Sequence, residues 1–227
     1  RIYDFMDFFS SKIIKWYSQH KRELPWRNTK DPYKIWLSEI ILQQTQVKQG
    51  LPYYQKFIKT FPSVSDLANA NEEEVLKLWQ GLGYYSRARN LHFTAKQIHQ
   101  AGFFPKEYED IITLKGIGEY TAAAIASFAF KLPYAVVDGN VFRLLSRFYG
   151  IDTPIDTSKG KKEFSETAQT LLVKKEPDTH NQAIMEFGSQ MCKPKQPNCN
   201  SCPLRNQCFA FANNTIHLLP VKKSKVK

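Results

Sequence analysis

The sequence predicts an all-α fold. Three observations favour this class: apolar residues recur at helical spacing along most of the chain, strand-like alternation is nearly absent, and proline or glycine separates the periodic segments. With 227 residues and 42% hydrophobic content, the chain can bury a sizeable core. We therefore expect a helical protein of one large domain or two small ones.

The net charge limits the classes of partner. A formal net charge of +11 favours a polyanionic binding partner, most of all nucleic acid and next an anionic membrane surface. A basic protein with no such partner would have the same charge balance. No apolar run of about 18 residues predicts a membrane span, and no signal peptide is visible. The basic residues 218–227 have the composition of a tail or the start of a linker.

Helix signals follow one another along the chain. Residues 2–18 have an amphipathic pattern, and a break at 23–27 precedes Asp31 and Pro32, which suit a helix cap and a first helical residue. We expect this second helix to continue to about Val47. The further predicted helices cover residues 52–60, 64–69, 72–79, 86–101, 107–112, 141–149, 159–173 and 179–191.

One carboxyl group lies on an apolar helical stripe. Glu39 has Ile35, Trp36 and Leu42 at the spacings that place side chains on one helical face. Burial would resist ionisation of this carboxyl, as a general acid near neutral pH requires. An edge residue that reaches solvent, or a buried structural ion pair, would have the same pattern, so all three interpretations stay open.

A glycine turn predicts a phosphate-binding hairpin. Because Gly116-Ile-Gly118 separates a short helix from a long alanine-rich one, residues 107–130 have a helix–hairpin–helix pattern. The N–H groups of Gly116 and Gly118 would hold a DNA phosphate without reading sequence, and an ordinary tight turn is the alternative. Asp138 follows a Val-Val pair where the next helix starts, so capping is its favoured role and catalysis the other.

The cysteines predict a metal centre. All four lie in one segment with the spacing Cys-x6-Cys-x2-Cys-x5-Cys, at Cys192, Cys199, Cys202 and Cys208. The paired short knuckles typical of zinc are missing, so the spacing favours a [4Fe–4S] cluster over zinc or free thiols. A disulfide framework does not suit such clustering without a signal peptide.

Several motifs together resemble a known family. They are Leu24-Pro-Trp-Arg27, Pro32 to Val47, Trp79 to Asn90, the glycine hairpin, Val137-Asp-Gly-Asn-Val141, Asn181 to Glu186 and the four cysteines. On these motifs the chain resembles the helix–hairpin–helix DNA glycosylases and, more closely, the MutY-type adenine DNA glycosylases. The resemblance implies a six-helix barrel lobe with the hairpin at 29–134, and an iron–sulfur cluster lobe formed by 1–28 and 135–217.

The resemblance implies an enzyme that hydrolyses the N-glycosidic bond of adenine mispaired with 8-oxoguanine or guanine, after the base leaves the stack. Glu39 would protonate the adenine and activate a water, and Asp138 would stabilise or trap the sugar cation. Tyr120 and Asn140 would support Asp138. Because endonuclease III-like enzymes carry a lysine at the position of Tyr120, we expect a monofunctional glycosylase.

The remaining site residues also come from the resemblance. The implied substrate-binding residues are Trp26, Arg27, Gln44, Thr45, Tyr84 and Glu186. Trp26, Arg27 and Glu186 match positions around the adenine. The other three, Gln44, Thr45 and Tyr84, match positions that wedge into the duplex and contact the opposite base. Core positions for the aromatic residues, helix surface for Gln44 and Thr45, and a phosphate clamp for the arginine are the alternatives. The backbone carbonyls of Ile112, Leu114 and Ile117 would hold a monovalent or divalent cation.

Two other functions stay open. They are an endonuclease III-like glycosylase/lyase for oxidised pyrimidines and a non-enzymatic helix–hairpin–helix DNA-binding module. In each case we expect a monomer whose partner is double-stranded DNA, with no membrane. A bacterial protein would act at the nucleoid in the cytoplasm, and a nuclear or mitochondrial location is the alternative. Residues beyond about 217 are too few for the C-terminal domain that helps the family recognise 8-oxoguanine, so we expect a catalytic-domain fragment or a protein without that domain.

Overall fold

The computed structural model describes residues 2–223, with side chains described from Phe8 onward. Helices are the only regular secondary structure in this part of the chain, which confirms the predicted all-α class. The α-helices are α1 (Ile2–His20), α2 (Pro32–Leu42), α3 (Val47–Thr60), α4 (Val64–Asn69), α5 (Glu72–Trp79), α6 (Ser86–Ala101), α7 (Tyr108–Ile111), α8 (Glu119–Phe130), α9 (Gly139–Tyr149), α10 (Ser158–Leu171), α11 (Pro177–Gln190) and α12 (Phe209–Ala212).

The chain divides into two compact units. The hairpin unit is Glu23–Phe130, and the cysteine unit is Arg1–Arg22 together with Lys131–Lys227. Over residues 2–223, no helix is both long and apolar enough to cross a membrane.

In the hairpin unit, α2 packs against α8, and both helices are buried on most of their surface. Their sequences explain this, because a helix that is apolar on nearly every side has to lie inside the fold. As predicted, Asp31 caps α2 by accepting a hydrogen bond from the Tyr33 N–H, and Pro32 is its first residue. Phe57 of α3 and Trp79 of α5 are fully buried, with their ring centroids 6.0 Å apart.

In the cysteine unit, α11 packs against both α1 and α9. The core between these helices contains Phe9, Phe148, Phe164 and Phe187, all of which are almost fully buried. After α11 the chain is mostly irregular, with short 3-10 helices at Cys199–Ser201, Arg205–Gln207 and Ile216–Leu218.

The structure differs from the predicted helices between α2 and α3. The second helix does not continue to Val47 but ends at Leu42, and the next helix begins at Val47 rather than at Pro52. Gln44 has a φ of 55°, a left-handed conformation that no α-helix can include. Pro52 lies inside α3, where it removes one helical hydrogen bond without ending the helix.

The predicted C-terminal tail, residues 218–227, is in contact with the cysteine unit as far as it is described. The Ile155 N–H donates to the Val221 carbonyl at 3.0 Å, and the Lys223 N–H donates to Asp156 Oδ1 at 2.7 Å. Residues 224–227 of this predicted tail lie outside the described residues.

Candidate active site and DNA interface

Glu39 lies in the second half of α2 and is almost fully buried. Its side chain is 8% exposed, and Ile35 and Trp36, one turn earlier, are each 1% exposed. The predicted position on an apolar stripe is therefore confirmed. Burial of this kind is the environment in which a carboxyl can act as a proton donor near neutral pH. The catalytic role of Glu39 itself stays a prediction.

Two loops of the hairpin unit present the side chains that are predicted to wedge into a duplex. The 43–46 loop joins α2 to α3, and the 80–85 loop joins α5 to α6. Gln44 is exposed, and Thr45 is half-buried. Tyr84 is 68% exposed and has a φ of 45°. This exposure excludes a core position for Tyr84, and the predicted contact with DNA remains compatible with it.

Trp26 and Arg27 belong to a 3-10 helix, Pro25–Arg27, that begins with a proline. Both side chains are half-buried. The Trp26 ring lies edge-on to the Tyr54 ring, with centroids 5.2 Å apart. Trp26 therefore leaves part of its surface accessible to a ligand, and its predicted role beside the adenine stays a prediction.

Glu186, the third residue predicted around the adenine, is a buried partner of Arg22. Its side chain in α11 is 1% exposed. Oε1 accepts hydrogen bonds from the backbone N–H and Nε of Arg22 at 3.0 and 2.8 Å, and Oε2 accepts one from Nη2 at 2.7 Å. The hydrogen bond to Glu186 raises the pKa of Arg22. These contacts join the end of α1 to α11 and give the carboxylate a structural function.

The predicted helix–hairpin–helix is confirmed, with α7 and α8 on either side of residues 112–118. Gly116 has a φ of 84°, and a Cβ there would lie 2.9 Å from Asn90 Cβ, so glycine is required by conformation and by space. The Leu114 carbonyl already accepts the Ile117 N–H at 3.1 Å. Gly118 directly precedes α8, whose first N–H groups have no partners within the helix.

Asp138 is the N-cap of α9, as the capping interpretation predicted. Its Oδ1 accepts the Val141 N–H at 2.8 Å, and its Oδ2 accepts the Asn140 side-chain amide at 2.9 Å. Burial raises the pKa of Asp138, and these two hydrogen bonds oppose that shift because they favour the charged form. Capping does not exclude catalysis, since the same donors hold the carboxylate in one orientation.

A hydrogen-bond chain connects Asp138 to the cysteine segment. Asn140 donates to Asp138 and accepts from Arg143 Nη2 at 2.8 Å. Arg143 Nε donates to the Cys192 carbonyl at 2.8 Å. A Cβ on Gly188 would lie 2.8 Å from Asn140 Cβ, so this glycine allows the close approach of α11. The position of the Asp138 carboxylate thus depends on the backbone at the first cysteine.

The four cysteines line a single cavity. Apolar side chains such as Phe187 and Leu204 form much of its wall. Within residues 2–223, no group of three or more His, Cys, Asp or Glu side chains could hold a single metal ion.

Burial affects the cysteine thiols strongly. It raises the pKa of Cys202 to about 12 and also raises the pKa values of Cys199 and Cys208. Arg147 lies at this cavity, with Nη1 3.5 Å from Cys192 Sγ and 2.7 Å from the Lys193 carbonyl. A buried thiolate needs positive charge nearby, which a metal centre supplies.

The chain belongs to the HhH-GPD superfamily of base excision DNA repair proteins, whose family model matches residues 37–171. The match includes the helix–hairpin–helix, Glu39 and Asp138.

Two curated relatives are named adenine DNA glycosylase. The protein of Buchnera aphidicola subsp. Baizongia pistaciae (strain Bp) is 43% identical over 220 residues, which cover 96% of this chain and 62% of the relative. The Mus musculus protein is 41% identical over 214 residues, which cover 89% of this chain and 42% of the relative. The chain thus spans less than two thirds of these relatives.

A solved structure of a thermostable thymine-DNA glycosylase has a similar fold. It matches with a TM-score of 0.84 and 28% sequence identity, covering 92% of this chain and 97% of that protein. This similarity confirms the predicted class of helix–hairpin–helix DNA glycosylase folds.

Three arginines that organise these sites were not predicted from the sequence. Arg22, Arg87 and Arg143 each bind carbonyl or carboxyl oxygens that are distant in the sequence. The chain contains 32 lysines and arginines, so composition does not single them out. Only the spacing of Asn140 and Arg143, three residues apart on one helix, was a usable signal.

Proposed function

We propose that the chain is the catalytic part of an adenine DNA glycosylase, which hydrolyses the N-glycosidic bond of adenine mispaired with 8-oxoguanine or guanine. The observation that carries this proposal is the buried carboxyl group of Glu39 in α2. The names of the relatives that are 43% and 41% identical support adenine as the excised base. The opposite base is proposed from the motif resemblance.

The two carboxyl groups have different tasks in this mechanism. Glu39 donates its proton to the adenine ring, the bond from C1′ to the base breaks, and its electron pair leaves with the adenine. Asp138 stabilises the resulting sugar cation as an anion, or traps it transiently, with Asn140 and the Val141 N–H fixing its orientation. Glu39 then accepts a proton from the water that attacks C1′.

The proposed enzyme does not cut the DNA strand. A lyase reaction begins with an amine that forms a Schiff base at C1′. Tyr120, in the first turn of α8, supplies a phenol at the position where the lyase relatives carry lysine. Tyr120 is proposed to support Asp138, and the abasic strand remains intact.

Double-stranded DNA is the proposed partner, and the protein is proposed to act on it as a monomer. Its proposed location is the compartment that contains the DNA: the bacterial nucleoid, the nucleus or the mitochondrion. The hairpin N–H groups at Gly116 and Gly118 bind one phosphate, with a cation on the carbonyls of Ile112, Leu114 and Ile117. The extruded adenine contacts Trp26 and Arg27, and Glu186 would reach it only by leaving Arg22. The exposed residues Gln44 and Tyr84, together with Thr45, contact the opposite base and the space that the extruded adenine leaves in the base stack.

The cysteines are proposed to hold a [4Fe–4S] cluster. Each thiolate of such a cluster binds a different iron atom, and the four cysteines line one cavity. The cluster would close the irregular segment after α11, which contains all four ligands, into one cross-linked loop. Through the Cys192 carbonyl and Arg143 it would also stabilise the position of Asp138.

Three DNA duplexes test the proposed activity, each analysed for strand breaks before and after alkali. The first carries adenine opposite 8-oxoguanine, the second an oxidised pyrimidine, and the third a thymine mismatch. We expect breaks in the first duplex alone, and only after alkali. Breaks before alkali in the second would indicate a glycosylase/lyase, cleavage of the third a thymine glycosylase, and no breaks at all a binding module.

The cluster has its own test. Purified protein should be brown, with broad visible absorption and bound iron. A colourless protein that contains zinc would overturn the cluster assignment without affecting the proposed reaction.

A further inference from the structure

One arginine holds both loops that carry the exposed Gln44 and Tyr84. Arg87 is the second residue of α6, and its side chain is half-buried. Its Nη1 donates hydrogen bonds to carbonyls at the end of α2 and in the 43–46 loop: Gln43 at 2.6 Å, Ile40 at 3.0 Å and Ile41 at 3.4 Å. These carbonyls lie where a helix end lacks its own donors, so a cation is well placed there.

The other nitrogen of the same guanidinium binds the 80–85 loop. Arg87 Nη2 donates to the carbonyls of Leu82 at 3.2 Å and Gly83 at 3.4 Å. The plane of the group lies over aromatic rings, with Cζ 4.9 Å from the Trp79 ring and 5.9 Å from the Tyr84 ring. The planar fork of an arginine can serve two segments at once, which a single ammonium cannot.

Both loops contain a strained residue at their exposed position. Gln44 has a φ of 55° and Tyr84 a φ of 45°, which non-glycine residues rarely adopt. Such conformations persist only when surrounding contacts impose them, and they concentrate at binding sites. The contacts of Arg87 flank both positions, because its carbonyl partners directly precede Gln44 and Tyr84.

The exposed side chains have the chemistry to contact bases. An exposed tyrosine ring can stack on a base, and a side-chain amide can donate and accept at a base edge. The 43–46 loop also follows Glu39 by one helical turn, so the arrangement couples the end of the Glu39 helix to the Tyr84 loop.

We propose that Arg87 is a positioning residue: it fixes the 43–46 and 80–85 loops together so that Gln44 and Tyr84 enter the duplex as one unit. This inference rests on the proposed function only for its DNA step. The arrangement of the two loops is a property of the free protein.

Arg89 provides a matched control. It lies two residues further along α6, carries the same charge, and pairs with Glu72 at 3.5 Å on the surface, where both side chains are more than half exposed. Arg87→Lys and Arg89→Lys are therefore the same chemical change on one helix, and only the first removes the fork between the loops.

Hydrogen exchange of the free protein tests the arrangement. The Thr45 N–H donates to Leu42, and the Leu82 N–H donates to Trp79, so each reports on one loop. Arg87→Lys should accelerate exchange of both amides by about tenfold, and Arg89→Lys should leave both unchanged. Unchanged exchange in Arg87→Lys, or a change confined to one loop, would overturn the proposal.

The DNA step is tested with a duplex that carries 2-aminopurine beside adenine opposite 8-oxoguanine. Stopped-flow fluorescence should rise when the wild type unstacks the probe, before any excision. Arg87→Lys should reduce the rise as much as Tyr84→Ala does, and the double variant should reduce it no further. Additive losses would show that Arg87 does not act through Tyr84.

A measurement on the wild type covers the case in which Arg87→Lys does not fold. If the guanidinium binds both loops, ¹⁵N NMR should show slow rotation of the Arg87 guanidinium about its Nε–Cζ bond. Free rotation would refute the proposal. A wild type that fails to excise adenine would contradict the proposed function while leaving the exchange and NMR results to decide the role of Arg87.

Discussion

The two units hold their candidate carboxyl groups in opposite ways. Glu39 lies within a helix, 8% exposed, beside Ile35 and Trp36. Asp138 lies before the first turn of a helix and accepts hydrogen bonds from a backbone N–H and from Asn140. Glu39 is thus shielded from water inside a helix, whereas Asp138 is oriented by named donors at a helix start.

This difference suits the two groups to different tasks. An apolar surrounding favours a carboxyl that keeps its proton, and hydrogen-bond donors favour a carboxylate. Removal of a base from a sugar requires one of each: an acid for the leaving base and an anion for the sugar cation. On this basis we propose that Glu39 supplies the acid and that Asp138, held by its donors, stabilises the charge.

Loss of the buried Glu39 carboxyl should reduce the excision rate more than any other change. Glu39→Gln keeps the shape of the side chain but cannot donate the proton, so excision should fall by about 10³-fold or more. Single-turnover excision of adenine opposite 8-oxoguanine measures this rate. Binding of the same duplex should change by no more than a few fold, and loss of binding would instead identify Glu39 as a structural residue.

Asp138→Asn removes the other candidate carboxyl group but keeps a side chain that can cap the helix. Excision should fall by about 10²-fold, because the carboxylate that faces the sugar cation is lost. Because burial raises the pKa of Asp138, ionisation of this carboxyl costs the folded protein stability above its ordinary pKa, and asparagine avoids that cost. Asparagine is also a good N-cap, so the melting temperature at pH 7 should not fall.

Asp138→Ala is the control for the cap. It should lose the same activity and also about 1 kcal/mol of stability, because the Val141 N–H loses its acceptor. If asparagine destabilised the protein as much as alanine does, the carboxylate would be required for folding and the separation between cap and catalyst would fail.

A third buried carboxyl, Glu186, differs from Glu39 and Asp138 because its contacts with Arg22 are structural. Arg22→Gln removes the charged hydrogen bonds to the buried Glu186 and should lower the free energy of unfolding by about 2 kcal/mol. Urea denaturation measures this change. The estimate is modest because Arg22 is 36% exposed and water can partly replace it. A stability equal to that of the wild type would leave Glu186 available for the adenine instead.

The smallest expected effect concerns the donors of Asp138. If the ionised carboxylate is required, excision should fall as the pH drops through its raised pKa, so the acid limb of the rate profile lies above the ordinary value of about 3.9. Asn140→Ala removes one donor to the anion and should move this limb to higher pH by roughly one unit. An unmoved limb would assign it to another group.

Local signals were sufficient for much of this fold. Asp31 with Pro32 marked the start of α2, and the glycines at 116 and 118 marked the hairpin. The end of α2 was missed because Gln44 adopts a left-handed conformation without any glycine or proline nearby to indicate it. That turn is imposed by tertiary contacts from Arg87, 43 residues later in the chain.

In the candidate site, too, local sequence patterns predicted some residues but not the partners that orient them. Helical spacing alone placed Glu39 on an apolar stripe, and cap chemistry alone placed Asp138 at a helix start. The partners that orient these groups come from other segments, as with the link from Asn140 through Arg143 to the Cys192 carbonyl. Such contacts depend on the packing of helices that one sequence does not specify locally.

Mass spectrometry of the products tests whether this chain excises adenine and leaves the strand intact. The wild-type chain is incubated with a duplex that has one adenine opposite 8-oxoguanine, and both the released base and the strand are identified without alkali treatment. We expect free adenine and an intact abasic strand in equal amounts. Release of a pyrimidine from a control duplex instead, or a strand already cut when adenine appears, would contradict it.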